Sequence, residues 1–230
     1  MGIKKKLFMV IAALITLFTL TTVASAAGPL CEIYWMSSSD GVGPGGTSTI
    51  QTYLNDIGYN AKRYENTSAY YVRRTMDDDA VFVIVSHGLP GRASCYGGTT
   101  VSAYAVSSDD DNYSLAAAFD PDDLEKIRFA YYGTCYSAAT DSTYGKLTSY
   151  TISLGARSTL GFVEAVSDAH ATYFEKRLFY HLKAGNNVNT SKNLALSDTY
   201  SYYGDYGNVD SAQTLGYLST KITPAAYGNQ

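Results

Sequence analysis

Cysteine is scarce in this chain, with three residues, Cys31, Cys95 and Cys135, among 230. Three thiols make no disulfide framework of the kind that small secreted folds depend on, and their spacing supplies no zinc signature. Basic charge is short as well: 17 Lys+Arg stand against 21 Asp+Glu, a formal charge of −4. A nucleic-acid partner is therefore disfavoured. The glycine-rich stretch Gly41 to Gly46 lacks the Lys-Ser/Thr ending and the helix opening that a phosphate-binding loop needs. No fixed-period repeat divides the chain.

One long apolar run is present, from Leu7 to Val23, behind Lys4-Lys5-Lys6 and ahead of Ala24-Ser25-Ala26. A basic start, an apolar middle and a small-residue cleavage site read as a secretory signal peptide over residues 1–26. The competing reading is a membrane anchor, because 17 residues reach the lower limit of about 17 for a spanning helix. The cleavage site, and the lack of a positive stop-transfer cluster after it, favour export with no membrane contact once the leader is removed. No cysteine follows the site to take a lipid anchor. Loss of the three lysines leaves 14 basic residues against 21 acidic ones, or −7. The roughly 200 residues that remain suit one domain over 27–230, expected to be a monomer.

Apolar periodicity then sets the element order. Glu32 to Met36 reads as a strand, followed by a breaker-rich loop from Ser37 to Gly46. Ile50, Tyr53, Leu54 and Ile57 recur at i, i+3, i+4 and i+7 behind Thr47 or Ser48 as cap, which predicts a helix closed by Gly58. A strand at Asn60 to Tyr64 and a helix at Thr67 to Met76 follow, then the apolar run Ala80 to Val85. Gly91 to Leu115 reads as a β-hairpin insertion with Asp109-Asp110-Asp111 at a solvated tip. Asp120-Pro121 with acids behind it predicts a helix start. Further helices are expected over Ser142 to Leu154 and from Ser167-Asp168 to Gly185, with a strand from Ser158 to Val163. Strands alternating with helices predict a three-layer α/β/α sandwich around a mainly parallel sheet. The 22 tyrosines replace charged residues on a secreted surface; in loops such as Tyr200 to Tyr206 they also suit stacking on sugars or peptides.

Two strings carry the chemistry: Ala80-Val-Phe-Val-Ile-Val-Ser-His87-Gly88 and, about fifty residues on, Ile127-Arg-Phe-Ala-Tyr-Tyr-Gly-Thr-Cys135-Tyr-Ser137. Each is a buried strand that ends in a reactive residue, and the C-terminal ends of strands are where open α/β sheets keep their sites. If the strands are neighbours, His87 and Cys135 emerge together as base and nucleophile. The backbone N–H groups of Gly88 and Cys135 would then form an oxyanion hole. A Cys31–Cys95 bridge would leave Cys135 as the free thiol; the alternative is three free thiols.

Both blocks resemble the caspase-like cysteine peptidases of clan CD, a group that includes caspases, metacaspases, gingipains, clostripain, legumains, separases and CHAT-type peptidases. The stretch Leu154 to Asp168, followed by Phe179-Tyr180 and Ala184-Gly185, is similar to the C-terminal half of the CHAT type. The resemblance implies a caspase-haemoglobinase fold, a protein or peptide substrate, and a mechanism in which His87 protonates the leaving amine while Cys135 forms the acyl-enzyme. It requires no metal or other cofactor. Gly133 stands where caspases carry Gln and metacaspases Asp to line the primary specificity pocket. Asp40 and Glu164 fall near segments that line that pocket in the family, and either would suit a basic side chain; as residues alone, both also read as ordinary solvated loop acids. Calcium is the one ion that the acids at 109–111 would suit, though their spacing matches no calcium loop.

Two other readings remain open from the sequence. One is a non-catalytic secreted domain on the same scaffold. In the other, Gly133-Thr-Cys135-Tyr-Ser137 is a loose α/β-hydrolase elbow served by His170, with Ser137 in place of the second glycine.

Overall fold

The structure is a computed structural model that describes residues 28–36, 44–104 and 112–224. Among the described residues, six strands form the main sheet: β1 (Leu30–Trp35), β2 (Asn60–Glu65), β3 (Val81–Val85), β8 (Phe129–Gly133), β9 (Ser158–Phe162) and β10 (Ala212–Gly216), in the order β10-β9-β8-β3-β1-β2. All pairs are parallel except β10 with β9. The α-helices that cover it among the described residues are α1 (Thr47–Asp56), α2 (Ala69–Thr75), α3 (Leu147–Ser153), α4 (Asp168–Lys183) and α5 (Val188–Tyr203).

Alternating side chains of the central strands feed two cores. Val81, Val83 and Val85 join Phe129 and Tyr131 against α1, α4 and α5, in a cluster with Ile50, Phe174, Leu178 and Ala195. Phe82 and Ile84 join Ala130 and Tyr132 on the opposite face, against α2 and α3 with Val72 and Leu147. A strand buried on both faces has no polar side to show, which is why Val-Phe-Val-Ile-Val is continuous. The predicted α/β/α layering is therefore present. Between β1 and β3 the chain changes direction across the sheet, since β2 lies beyond β1 on one side and β8 beyond β3 on the other. Such a switch opens a crevice at the carboxyl ends of the strands.

Several elements differ from the sequence reading. The first helix begins at Thr47 with Gly46 as its cap: the Gly46 carbonyl accepts the Ile50 N–H at 2.9 Å, no hydroxyl caps the helix, and the Gly46 N–H itself donates to the Glu175 carboxylate. The predicted hairpin insertion is a second sheet of four strands, β4 (Gly88–Leu89), β5 (Arg92–Ser94), β6 (Thr100–Ser102) and β7 (Asn112–Ser114), and it begins directly behind His87. Its acidic tip, Asp109 to Asp111, lies outside the described residues. The helix expected at Asp120 is a series of turns: Asp122 takes a left-handed φ of 73°, and the Asp123 carboxylate accepts the Asp120 N–H, reversing the expected cap. Helix α3 starts late because Asp141 Oδ1 accepts the N–H groups of Thr143 and Tyr144 and folds that stretch into a turn.

The tyrosine-rich stretch from Tyr200 is not a loop at its start: Tyr200, Tyr202 and Tyr203 end α5. The three cysteines are free. Cys31 belongs to the core on one face of the sheet and Cys95 to the core on the other, so the sheet itself separates them. Among the described residues no helix is long and apolar enough to cross a membrane. The segment read as a leader, 1–26, lies outside the described residues.

Candidate active site

β3 and β8 are adjacent and parallel, with Val85 opposite Gly133. The residues that follow them therefore leave the sheet at the same edge. His87 and Cys135 line one small cleft of about 90 Å³ there, with Val85, Ser86, Gly133 and Val166. Its remaining wall is a single stripe of α4, since Asp168, Ala171, Thr172 and Glu175 recur at i, i+3, i+4 and i+7.

The backbone around the thiol is fixed from three sides. Tyr136 sits at φ 58°, a left-handed conformation uncommon for a residue of this size, and turns the chain sharply behind Cys135. The turn is stitched to β9: Tyr136 N–H donates to Glu164 O at 3.2 Å and Ala138 N–H to Phe162 O at 2.9 Å. Buried Ser137 completes it, accepting from Phe162 N–H at 3.2 Å and donating to Thr134 O at 2.9 Å. The same Ser137 that breaks the hydrolase elbow pattern is thus the post that holds this turn. Cys135 Sγ lies 3.4 Å from the Val166 N–H, a donor that a thiolate accepts better than a thiol does.

Gly88 brings the histidine strand up against that turn. A Cβ built on it would overlap the Cys135 carbonyl oxygen and lie 3.0 Å from Thr134 Cβ, so only glycine permits the approach. Ser94 N–H donates to His87 O at 2.9 Å, and Gly88 pairs with Ala93. His87 and Ser94 are thus a hydrogen-bonded pair and Gly88 the next, non-bonded position, which turns its N–H away from β5. The His87 side chain is exposed at the cleft mouth.

The other thiols are chemically quiet. Burial pushes the Cys31 thiol far up, helped by Asp79 and Glu32, and pushes Cys95 up to about 12. A protonated thiol is neither nucleophile nor good ligand. Cys135 alone of the three is not buried, and it lines the cleft.

The other sequence candidates fall elsewhere. Glu164 is exposed beside the thiol turn, held there by its backbone carbonyl, and its side chain is not part of the cleft wall. Asp40 lies outside the described residues. Gly133 does line the cleft, and a Cβ on it would stand 2.9 Å from Tyr131 Cε1 and 3.1 Å from Val85 Cγ2, so no larger side chain fits there. His170 is turned away from the thiol: its Nδ1 meets Ser167 Oγ at 3.0 Å, its Nε2 meets Asp205 at 2.7 Å, and its ring lies on Tyr203 with centroids 4.0 Å apart. It is absent from the cleft wall, which leaves the hydrolase-elbow reading without its histidine. His181 bonds Asp198 at 2.8 Å between α4 and α5, a structural contact.

Sequence reasoning missed Val166 and Glu175. Val166 acts through its backbone, which no side-chain pattern reveals, while Glu175 is a helix acid whose burial shows only in the structure.

No family model matches the chain, and no curated protein matches it in sequence. Solved structures do. Gingipain R, described as an Arg-specific cysteine proteinase, matches with a TM-score of 0.60 at 9% identity, over 87% of this chain and 49% of that one. The complex of Porphyromonas gingivalis RgpB pro- and mature domains matches at 0.57 and 10%, over 87% of this chain and 51% of that one. The protein has the caspase-haemoglobinase fold. On that fold, the chain spans about half the length of the gingipain chains it matches. Caspase-1 from Spodoptera frugiperda matches at 0.49 with 12% identity, over 84% of this chain and 89% of that one. At these identities the likeness is one of fold, and function rests on the site.

Proposed function

We propose that the protein is a secreted cysteine endopeptidase that cleaves peptide bonds with His87 and Cys135. The observation that carries this reading is the meeting of the two side chains in one cleft at the ends of adjacent parallel strands.

In the proposed reaction the Cys135 thiolate attacks the scissile carbonyl carbon, forming the C–S bond as the carbonyl electrons move to oxygen. The Gly88 and Cys135 N–H groups receive that oxyanion. When it collapses, the C–N bond breaks and His87, in its imidazolium form, gives its proton to the departing amine. Water then attacks the thioester with His87 as base, releasing the acid and returning the thiol. No cofactor takes part, and the protein acts as a monomer on a protein or peptide substrate. The leader at residues 1–26 accounts for export. Substrates with a basic side chain before the scissile bond are proposed to pair with Glu164 or Asp40, so Glu164→Gln with Asp40→Asn lowers cleavage after Arg or Lys while other sites are spared.

The test incubates the mature protein with a peptide panel and a thiol-directed affinity probe, in wild type, Cys135→Ala, His87→Ala and His170→Ala. Cleavage and labelling at Cys135 are expected in wild type. Both are expected to be lost in Cys135→Ala, to fall by about a thousandfold in His87→Ala and to persist in His170→Ala. Loss in His170→Ala alone, or no cleavage together with no preferential labelling of Cys135, overturns the proposal.

A further inference from the structure

Glu175 is 1% exposed, yet it lines the cleft with His87 and Cys135. A carboxyl group in such a place needs hydrogen-bond partners to offset its lost hydration. One comes from the Gly46 N–H, at the start of α1, which donates to Glu175 Oε1. The two glycines there make the approach possible. Gly45 has a left-handed φ of 52°, and a Cβ on it would overlap Oε1; a Cβ on Gly46 would lie 2.9 Å from Glu175 Cγ. The loop between β1 and α1 therefore ends in a clasp whose other half is the buried Glu175 of α4.

We infer that Glu175 is a positioning residue of the cleft: by holding the Gly46 N–H it fixes the end of the β1–α1 loop against α4 and sets the shape of the wall that faces Cys135. The inference deepens the peptidase reading above and rests on it for its kinetic consequences. Glu175 is faced by Asp168 and Lys176 from its own helix, by Tyr131 from β8, and by His87 and Cys135 across the cleft. Burial pushes its carboxyl up to about 8, against the pull of the Gly46 N–H and Lys176. At neutral pH the clasp is an uncharged acid whose oxygen accepts the glycine N–H. In more alkaline solution a negative charge enters the wall, beside Asp168 and opposite the thiol, where it opposes a second anion.

Glutamine keeps the acceptor and removes the charge, whereas alanine removes both. Three measurements on the full mature chain separate the roles: hydrogen exchange at the Gly46 amide, kcat and KM on a cleaved peptide, and the pH profile of Cys135 alkylation by iodoacetamide. Glu175→Gln is expected to keep Gly46 protected and KM within about twofold of wild type. Glu175→Ala is expected to expose the amide and raise KM about tenfold, with kcat within about threefold. Above about pH 8, alkylation in wild type should fall behind Glu175→Gln. Unchanged protection and KM in Glu175→Ala overturn the inference. If that variant does not fold, fast exchange of the Gly46 amide in folded wild type, which a held N–H does not allow, overturns it. A protein that cleaves no peptide but shows the exchange and alkylation differences retains the clasp and loses the peptidase reading.

Discussion

Gly88 shows how far a single hydrogen in place of a methyl group decides the site. The Cys135 carbonyl occupies the space where a Cβ would go, and Thr134 closes the remaining side. Gly88→Ala therefore has to push the thiol turn away from the histidine strand. A displacement of about 1 Å at a reacting centre costs about a hundredfold in rate. The expected outcome is a folded protein whose kcat/KM falls by that order and whose Cys135 alkylation slows, read together with circular dichroism to show that the sheet persists. The turn is anchored on its other side through Ser137 to β9, which resists that displacement. Rates that match wild type would mean that the two backbones are not held as close as the structure has them.

At the level of elements, helix α5 shows where the sequence is hard to read. Its buried residues, Val188, Ser191, Ala195 and Thr199, keep helical spacing, but half of them carry hydroxyls and the sequence therefore shows no apolar stripe. The signals that do mark it are its ends. Asn187 Oδ1 accepts the Thr190 N–H at 2.8 Å, and Gly204 closes the helix at φ 83°. Asn187→Ala is expected to cost about 1 kcal/mol, seen as a fall of about 2–4 °C in Tm; no change would show that tertiary packing alone holds the helix. The central strands were legible for the opposite reason: double-sided burial writes an uninterrupted apolar run, and a reactive residue at its end stands out. Hence the strand ends that carry His87, Gly88 and Cys135 could be located from sequence, together with the sheet they belong to. The turns at Asp120 and Asp141 could not, because side-chain acceptors there compete with the helix for the same N–H groups. Glu175 went unnoticed because a carboxylate on a helix reads as a solvated face until the partner segment is known.

For the whole molecule, buried acids set the response to pH. Asp79 is fully buried at the start of β3; its Oδ1 accepts the Glu32 N–H at 2.8 Å, and its Oδ2 meets no partner among the described residues. Burial first, and then the Glu32 carboxylate, push it up to about 9. Glu175 is raised to about 8, likewise by burial. A carboxyl whose folded pKa lies above its unfolded value of about 4 contributes stability that is complete below pH 4 and is lost as pH rises through the folded pKa. Asp198 and Asp141 act in the opposite sense. Burial works against Asp198, but bonds from His181 and Arg177 lower it overall; Asp141 is lowered by the N–H groups of Tyr144 and Thr143. Their contribution is lost as pH falls below about 4. Stability should therefore be greatest between these limits, on the acid side of neutrality, and decline toward pH 9. Asp79→Asn keeps the acceptor for Glu32 and has no proton to lose. Its thermal midpoint should vary less than that of wild type between pH 5 and 9, with an advantage of about 1–3 kcal/mol gained over that range. Parallel curves for the two proteins would show that Asp79 does not hold its proton in the folded state, and would move the alkaline loss of stability to Glu175, which Glu175→Gln tests in the same titration.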